Sequence, residues 1–288
     1  MTLPIVVLDP QQAILIIVGV GGTGGYVLQQ VARLLYALHA QGRVAPDVWL
    51  VDGDTVEEKN LLRQSFLPVD VGQNKAEVLA KRYSHAYGLP IAAAGTYLTP
   101  ETKLRELVCG PPRPYQGHDA IASEKTTPIV VGCVDNAPTR RMLHEQLRTW
   151  ENVVYVDAGN GSVTVPDDPE HIDRYQLAKI KESGWDGQVV CGVRKHGHDV
   201  LPFPGEVFPD LITPDDDERL PTEIRCGEVV VDHPQRFVTN LTAATCVLQY
   251  LHTLLADGTL LHHRTFFNAR EGFVRSEKAI DHVLEVAI

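Results

Sequence analysis

The chain has 288 residues, enough for one large α/β domain with an elaborated C-terminal part. Its 26 Lys and Arg against 37 Asp and Glu give a formal net charge of −11, which argues against a nucleic-acid groove or an anionic membrane surface as the default partner. The 5 cysteines include no C-x-x-C pair, and no apolar run approaches the length of a membrane span, so the expectation is a reduced, soluble, cytoplasmic protein with no secretory leader and no disulfide framework.

In chain order, residues 14–18 form a short β-branched run that stops at Gly19, the pattern of a parallel strand buried on both faces. Val27, Leu28, Val31, Leu34, Leu35 and Leu38 then recur at helical spacing as far as Gly42. Residues 48–51 read as the next strand, ending at Asp52, and residues 74–87 as a helix closed by Gly88. A strand at 91–94 and a Pro- and Gly-rich insertion loop at 110–128 come next. They lead to a strand at 129–134, a helix at 137–150 and a strand at 153–156 ending at Asp157. Residues 166–223 are rich in Pro, Asp and Gly without a long periodic run, so loops and short strands are expected there. Helical spacing returns over 239–255, with late strands at 266–268 and near Phe273 and Val274.

Strands alternating with helices imply an α/β fold with a Rossmann-like, doubly wound, mainly parallel sheet and an irregular C-terminal elaboration. The expected organisation is a nucleotide-binding part over residues 1–165. A C-terminal part of the same domain then covers 166–288, with a loop-rich insertion (166–223) and a late helix (239–255). Ligands on such sheets sit at strand carboxyl ends, where Gly19, Asp52 and Asp135 all fall.

The chemistry-bearing residues follow from that placement. Gly21 and Gly22 admit a phosphate or ribose close to the backbone, and a helix starting near Gly24 offers unpaired N–H groups to an anion, although a glycine loop alone also serves as a tight turn. Asp52 suits ribose hydroxyls or a strand-end turn, and Asp54 reads as a cap of the following turn. Arg63 and Lys75 discriminate: hydride transfer needs no pair of cations, whereas adenylyl transfer does, because charge builds on the leaving pyrophosphate. Asn60 and Gln64 are neutral donors that can add phosphate contacts. Asp135 suits a Mg²⁺ held against phosphates, while Asp135 or Asn136 equally suits the N-cap of the next helix.

The segments IIVGVGGTGGYVLQ, VDGDTVEEKNLLRQSF, DVGQNKAEVLAKR and VGCVDNAPTRRML resemble, in order and spacing, the ThiF/MoeB/HesA family of ubiquitin-activating-type adenylating enzymes. VEEKNLLRQ and NKAEVLAKRY are similar to the ThiF-like group of PRTRC plasmid cassettes. The resemblance implies Gly19, Gly21, Gly22 and Gly24 in a nucleotide loop, Asp52 on the ribose and Asn60, Arg63 and Lys75 on the phosphates, with Gln64 nearby. It implies Asp135 on the metal, with ATP and Mg²⁺ as cofactors. It also implies a homodimer and a ubiquitin-like partner whose C-terminal glycine carboxylate attacks the α-phosphorus.

The resemblance marks Cys226, ahead of the late helix, as a thiol that can take the acyl group; a small buried residue is the competing reading. Cys191 is a lesser candidate of the same kind, while Cys133 and Cys246 read as core. Departures are the absence of paired C-x-x-C zinc knuckles and of an N-terminal arginine, since the first arginine is Arg33. Cys191 with His196 and His198, and the pair His262 and His263, read as chance surface groupings. The alternatives are an NAD-dependent oxidoreductase on the same fold, a non-catalytic nucleotide-binding docking protein of a plasmid cassette, and adenylation of a peptide or RNA-borne carboxylate.

Overall fold

The apolar run after Pro10 becomes the central strand of a large sheet in a computed structural model that describes residues 4–100, 102–109, 126–164, 172–213 and 235–286. A short β1 (Ile5–Val6) precedes that strand, β2 (Ala13–Val18). Next come α1 (Gly22–Ala40), β3 (Asp47–Val51), α2 (Lys75–Tyr87), β4 (Ile91–Ala94), α3 (Leu104–Cys109), β5 (Thr127–Gly132), α4 (Ala137–Leu147) and β6 (Val153–Asn160). The chain continues through α5 (Arg174–Glu182), β7 (Asp186–Lys195), β8 (His198–Leu201), α6 (Pro204–Val207) and α7 (Phe237–Asp257). It closes with β9 (Thr259–Leu260), β10 (His262–Asn268), β11 (Phe273–Lys278) and α8 (Ala279–Val286).

Among the described residues the large sheet runs β11-β10-β7-β6-β5-β2-β3-β4, with β8 paired to β7. The stretch from β4 to β6 is parallel throughout, and β7, β8, β10 and β11 extend it with antiparallel pairing. β1 and β9 form a separate ribbon.

β2 shows why this core forms. Leu15 and Ile17 point into a cluster with Val27, Leu28, Leu79 and Val247, drawn from α1, α2 and α7. Ile14, Ile16 and Val18 point the other way, onto Leu104, Leu143 and Leu147 of α3 and α4. Alternation with both faces apolar is what a strand covered by helices on two sides requires. α2 is set by Asn74, whose side chain accepts from the Glu77 N–H, and is stopped by Gly88 in the left-handed region. α7 packs against α1, with Tyr26 meeting Phe237 edge-on.

The region expected to be loops and short strands departs most from expectation. Within 166–223, α5 forms, and β7 pairs along its length with β6 and β10 in the middle of the sheet. Its glycines mask it as a strand in sequence. A Cβ on Gly187 would lie 2.1 Å from the Phe267 ring, and one on Gly192 2.6 Å from Phe203, so both are close approaches rather than turns. Residues 166–171 and 214–223 of that region, Cys226 beyond it, and residues 110–125 of the expected insertion loop lie outside the described residues. His262 and His263 are not a surface pair: His263 is buried in β10, its Nδ1 2.9 Å from the Cys191 carbonyl oxygen.

Candidate functional site

The parallel strands end level with one another. Val18 is in register with Val51 on one side and Gly132 on the other, and Gly132 with Asp157. The Gly19 N–H bonds the Val51 carbonyl at 2.9 Å and the Cys133 N–H bonds the Val18 carbonyl at 2.8 Å, so the chain leaves each strand at the same height. The cleft that opens there encloses about 970 Å³, its mouth included, and runs from Tyr97 past Asp52, the glycine turn and Asp135 to Asn160 and Asn240.

The glycine turn is built for close approach. Gly19 has φ +80°, and a Cβ on it would sit 2.8 Å from the Cys133 carbonyl oxygen. α1 begins without a side-chain cap and with no acidic residue in its first turn, so its leading N–H groups and the positive end of its dipole face the cleft. Gly21 and Gly22 line the cleft, whereas Gly24 does not. A Cβ on Gly24 would lie 1.9 Å from the Gly19 carbonyl oxygen, so its smallness lets α1 pack onto the end of β2.

At the β3–β4 side the cleft is ionic. Asp52 accepts from the Val20 N–H at 2.7 Å and the Asp54 N–H at 2.9 Å, so one carboxylate braces the glycine turn while keeping lone pairs for a ligand. Burial and the nearby Asp54 carboxylate push the Asp52 carboxyl up to about 6, against Lys75 and the two backbone bonds. Lys75, with only 8% of its side chain exposed, bonds Asp54 at 2.8 Å, and the Tyr97 hydroxyl donates to the same carboxylate at 2.6 Å. Burial pushes the Asp54 carboxyl up, but Lys75 and Tyr97 more than offset it and hold it below its ordinary value. Asn74 ties α2 to this corner by donating to the carbonyls of Asp52 and Asp54.

Arg63 and Gln64 also line the cleft. Asn60 does not: it is buried, and its Oδ1 accepts from the Glu57 N–H at 2.9 Å, shaping the turn whose backbone presents Arg63 and Gln64.

At the end of β5 the two candidate caps divide the work. Asn136 caps α4 by accepting from the Thr139 N–H at 2.9 Å, which leaves the exposed carboxylate of Asp135 to line the cleft. Beneath it Arg140, which the sequence reading missed, donates from Nε to Asp157 Oδ1 at 3.1 Å and from Nη2 to the carbonyls of Val134 and Ala158. The Tyr155 hydroxyl closes the other side of Asp157 at 2.9 Å. Burial alone would push the guanidinium down; Asp157, with Tyr155 and Asp135, more than offsets it and keeps Arg140 charged. This bolt joins the ends of β5 and β6.

At the β6–α7 side the cleft is neutral. Asn160 donates through Nδ2 to Thr23 Oγ1 and to Asn240 Oδ1, both at 2.9 Å. Asn240 on α7 is 0% exposed, and a Cβ on Gly22 would lie 2.4 Å from its Nδ2. Neither this trio nor Tyr97 carries a motif signal, since Thr23 and Asn240 are separated by 217 positions.

The cysteines give no nucleophile among the described residues. Cys191 lies fully buried in β7 rather than in an irregular loop, and burial drives its thiol far up. Cys246 is buried in α7 and pushed up to about 11. Cys133 lines the cleft but is likewise driven up by burial and by Asp157. No cluster of His, Cys, Asp and Glu among the described residues forms a metal cage. None of the described helices is long and apolar enough to cross a membrane.

The model of the ThiF family matches residues 10–270. Among solved structures, the chain is similar to selenomethionine PaaA (16% identity, 93% of this chain, 64% of that chain, TM-score 0.52). It is similar to E. coli MccB with ATP (15% identity, 94% of this chain, 65% of that chain, TM-score 0.53). A third is E. coli MccB with selenomethionine MccA (16% identity, 93% of this chain, 64% of that chain, TM-score 0.50). The chain thus spans 64–65% of the length of these structures, and at such identity the likeness speaks for the fold. No curated protein sequence matches the chain.

Proposed function

We propose, for a chain that belongs to the ThiF family, ATP-dependent adenylation of the C-terminal carboxylate of a small protein or peptide, with release of pyrophosphate. The observation that carries this reading is the gathering of Arg63, Lys75, Asp52 and Asp135 around one glycine turn at the carboxyl ends of β2, β3 and β5. Crystals of MccB with ATP and with MccA support the choice of nucleotide and of a second molecule as substrate.

In this reading Asp52 accepts from ribose hydroxyls, and the first N–H groups of α1 meet the phosphates. Arg63 and Lys75 stabilise the charge that grows on the leaving oxygens, with Gln64 beside them. A carboxylate oxygen of the substrate forms a bond to the α-phosphorus, the bond from that phosphorus to the bridging oxygen breaks, and pyrophosphate leaves with the electron pair. An acyl-adenylate remains. Lys75 starts the cycle paired with Asp54, so phosphate oxygens compete for its ammonium with a carboxylate that Tyr97 also satisfies.

Asp135 fits Mg²⁺ of one kind. A lone exposed carboxylate, with its neighbour Asn136 doing the capping, suits an ion brought with phosphates and waters, and does not suit a resident metal cage. Bound there, the ion neutralises phosphate charge. The finer reading takes the carboxylate donor as a ubiquitin-like protein ending in glycine. It also takes the enzyme as a cytoplasmic homodimer of the PRTRC type, with Cys226 as a later acyl acceptor.

Mass spectrometry after co-expression with the adjacent genes tests this. An adenylated or thiol-linked small partner supports the reading. Unmodified partners, together with tight binding of NAD instead of ATP, refute it in favour of the oxidoreductase alternative.

A further inference from the structure

Asp54 holds the Lys75 ammonium through one of its two oxygens. Lys75 Nζ lies 2.8 Å from Asp54 Oδ2, while Oδ1 accepts from the Tyr97 hydroxyl at 2.6 Å. An ammonium has three N–H donors and a carboxylate two acceptor oxygens, so a carboxylate with both oxygens open binds an ammonium more firmly than one with an oxygen already engaged. The phenol stays in its donor form, because burial and then the Asp54 carboxylate drive its pKa far above the ordinary tyrosine value. Lys75 and Tyr97 both line the cleft, so the donors that Lys75 does not spend on Asp54 are the ones a phosphate can use.

Tyr97 reaches Asp54 because residue 53 has no side chain. Tyr97 follows β4, the neighbour of β3, and its ring rests on Gly53 at the end of β3. A Cβ on Gly53 would stand 2.5 Å from the Tyr97 Cγ and 2.6 and 2.7 Å from its two Cδ atoms. These are the ring atoms nearest the backbone, so the ring could not clear a side chain by bending its tip. The whole ring would shift and carry the hydroxyl away from Oδ1. The glycine between the two acids thus has a task distinct from that of the glycine turn.

We infer that Tyr97, seated on Gly53, is a positioning residue that sets how readily Lys75 passes from Asp54 to the outer phosphates of ATP: by occupying Oδ1 it keeps the ion pair to one oxygen. The inference rests on the adenylation reading and adds to it a residue that adjusts phosphate affinity without touching phosphate.

The test measures binding of ATP and of AMP to the full chain by calorimetry at pH 8 with Mg²⁺. AMP carries the same base, ribose and α-phosphate but lacks the phosphates that Lys75 is read to meet. Tyr97→Phe keeps the ring and frees Oδ1. It is expected to weaken ATP about fivefold and AMP by less than about twofold. Gly53→Ala is expected to have the same effect and to add little to Tyr97→Phe. In an Asp54→Asn background, Tyr and Phe at position 97 are expected to bind ATP alike. Unchanged ATP affinity in Tyr97→Phe overturns the inference. An equal loss for ATP and AMP also overturns it, by placing the hydroxyl on the base or ribose, and so does a Tyr97→Phe effect that survives in Asp54→Asn. A full additional loss from Gly53→Ala on top of Tyr97→Phe removes Gly53 from the account. A wild type that binds no ATP overturns the adenylation reading itself.

Discussion

The two ends of the cleft are built by opposite means. At the β3–β4 end the groups are ionised and mutually satisfied: Lys75 on Asp54, Tyr97 on Asp54, and Asp52 on the backbone of the glycine turn. At the β6–α7 end they are neutral and left short of partners. A paired ionic corner holds its geometry before the ligand arrives and exchanges one ionic partner for another when phosphate enters. The amide corner is instead closed on itself, with Asn160 bonded to Thr23 of α1 and Asn240 of α7, so it ties the end of β6 to both helices.

Lys75→Ala attacks the ionic end hardest. It leaves Asp52 and Asp54 facing each other without their cation and removes charge from the leaving group, so exchange falls about a thousandfold, with Arg63→Ala costing about a hundredfold. Stopped-flow or radiolabel exchange rates read both, and a fall of less than tenfold in either would move the phosphate contacts elsewhere. The bolt between the ends comes next. Arg140→Met leaves the buried Asp157 carboxylate without its counter-ion, held only by the Tyr155 hydroxyl, and urea denaturation is expected to show a loss of roughly 3 kcal/mol. An unchanged midpoint would mean that Asp157 is neutral and Arg140 dispensable to the fold. Asp135→Ala is expected to lower exchange about a hundredfold at limiting Mg²⁺, and titration of the metal distinguishes lost affinity from lost chemistry.

The smallest effect is a pH dependence. Burial and Asp54 hold the Asp52 carboxyl up to about 6, and its ionised form accepts from ribose hydroxyls more strongly than the neutral acid, so ATP affinity is expected to weaken as pH falls through about 6. The ratio of wild type to Asp52→Asn removes the titration of the nucleotide itself; a ratio constant from pH 5 to pH 8 would detach Asp52 from the ligand.

The same contrast explains what the sequence made legible. The ionic end is written locally, because parallel strands buried on both faces are continuous apolar runs and their ends announce Gly19, Asp52 and Asp135. Arg63 and Lys75 follow within one crossover. The neutral end is assembled from three distant stretches, and nothing near Asn160 or Asn240 distinguishes them from capping or surface amides. Asn60 and Gly24 show the limit from the other side. Both sit inside the expected nucleotide segments, yet one shapes a turn through Glu57 and the other makes room for the Gly19 carbonyl. β7 was hidden because Gly187 and Gly192, which read as breakers, are there to admit Phe267 and Phe203.

The most direct measurement follows an oxygen atom. A Gly-Gly peptide labelled with oxygen-18 in its terminal carboxylate is incubated with the full chain, ATP and Mg²⁺, and the nucleotide products are read by mass spectrometry after hydrolysis. Attack at the α-phosphorus predicts pyrophosphate as the leaving group and oxygen-18 in AMP. ADP with labelled or unlabelled inorganic phosphate, and no labelled AMP, would contradict the account.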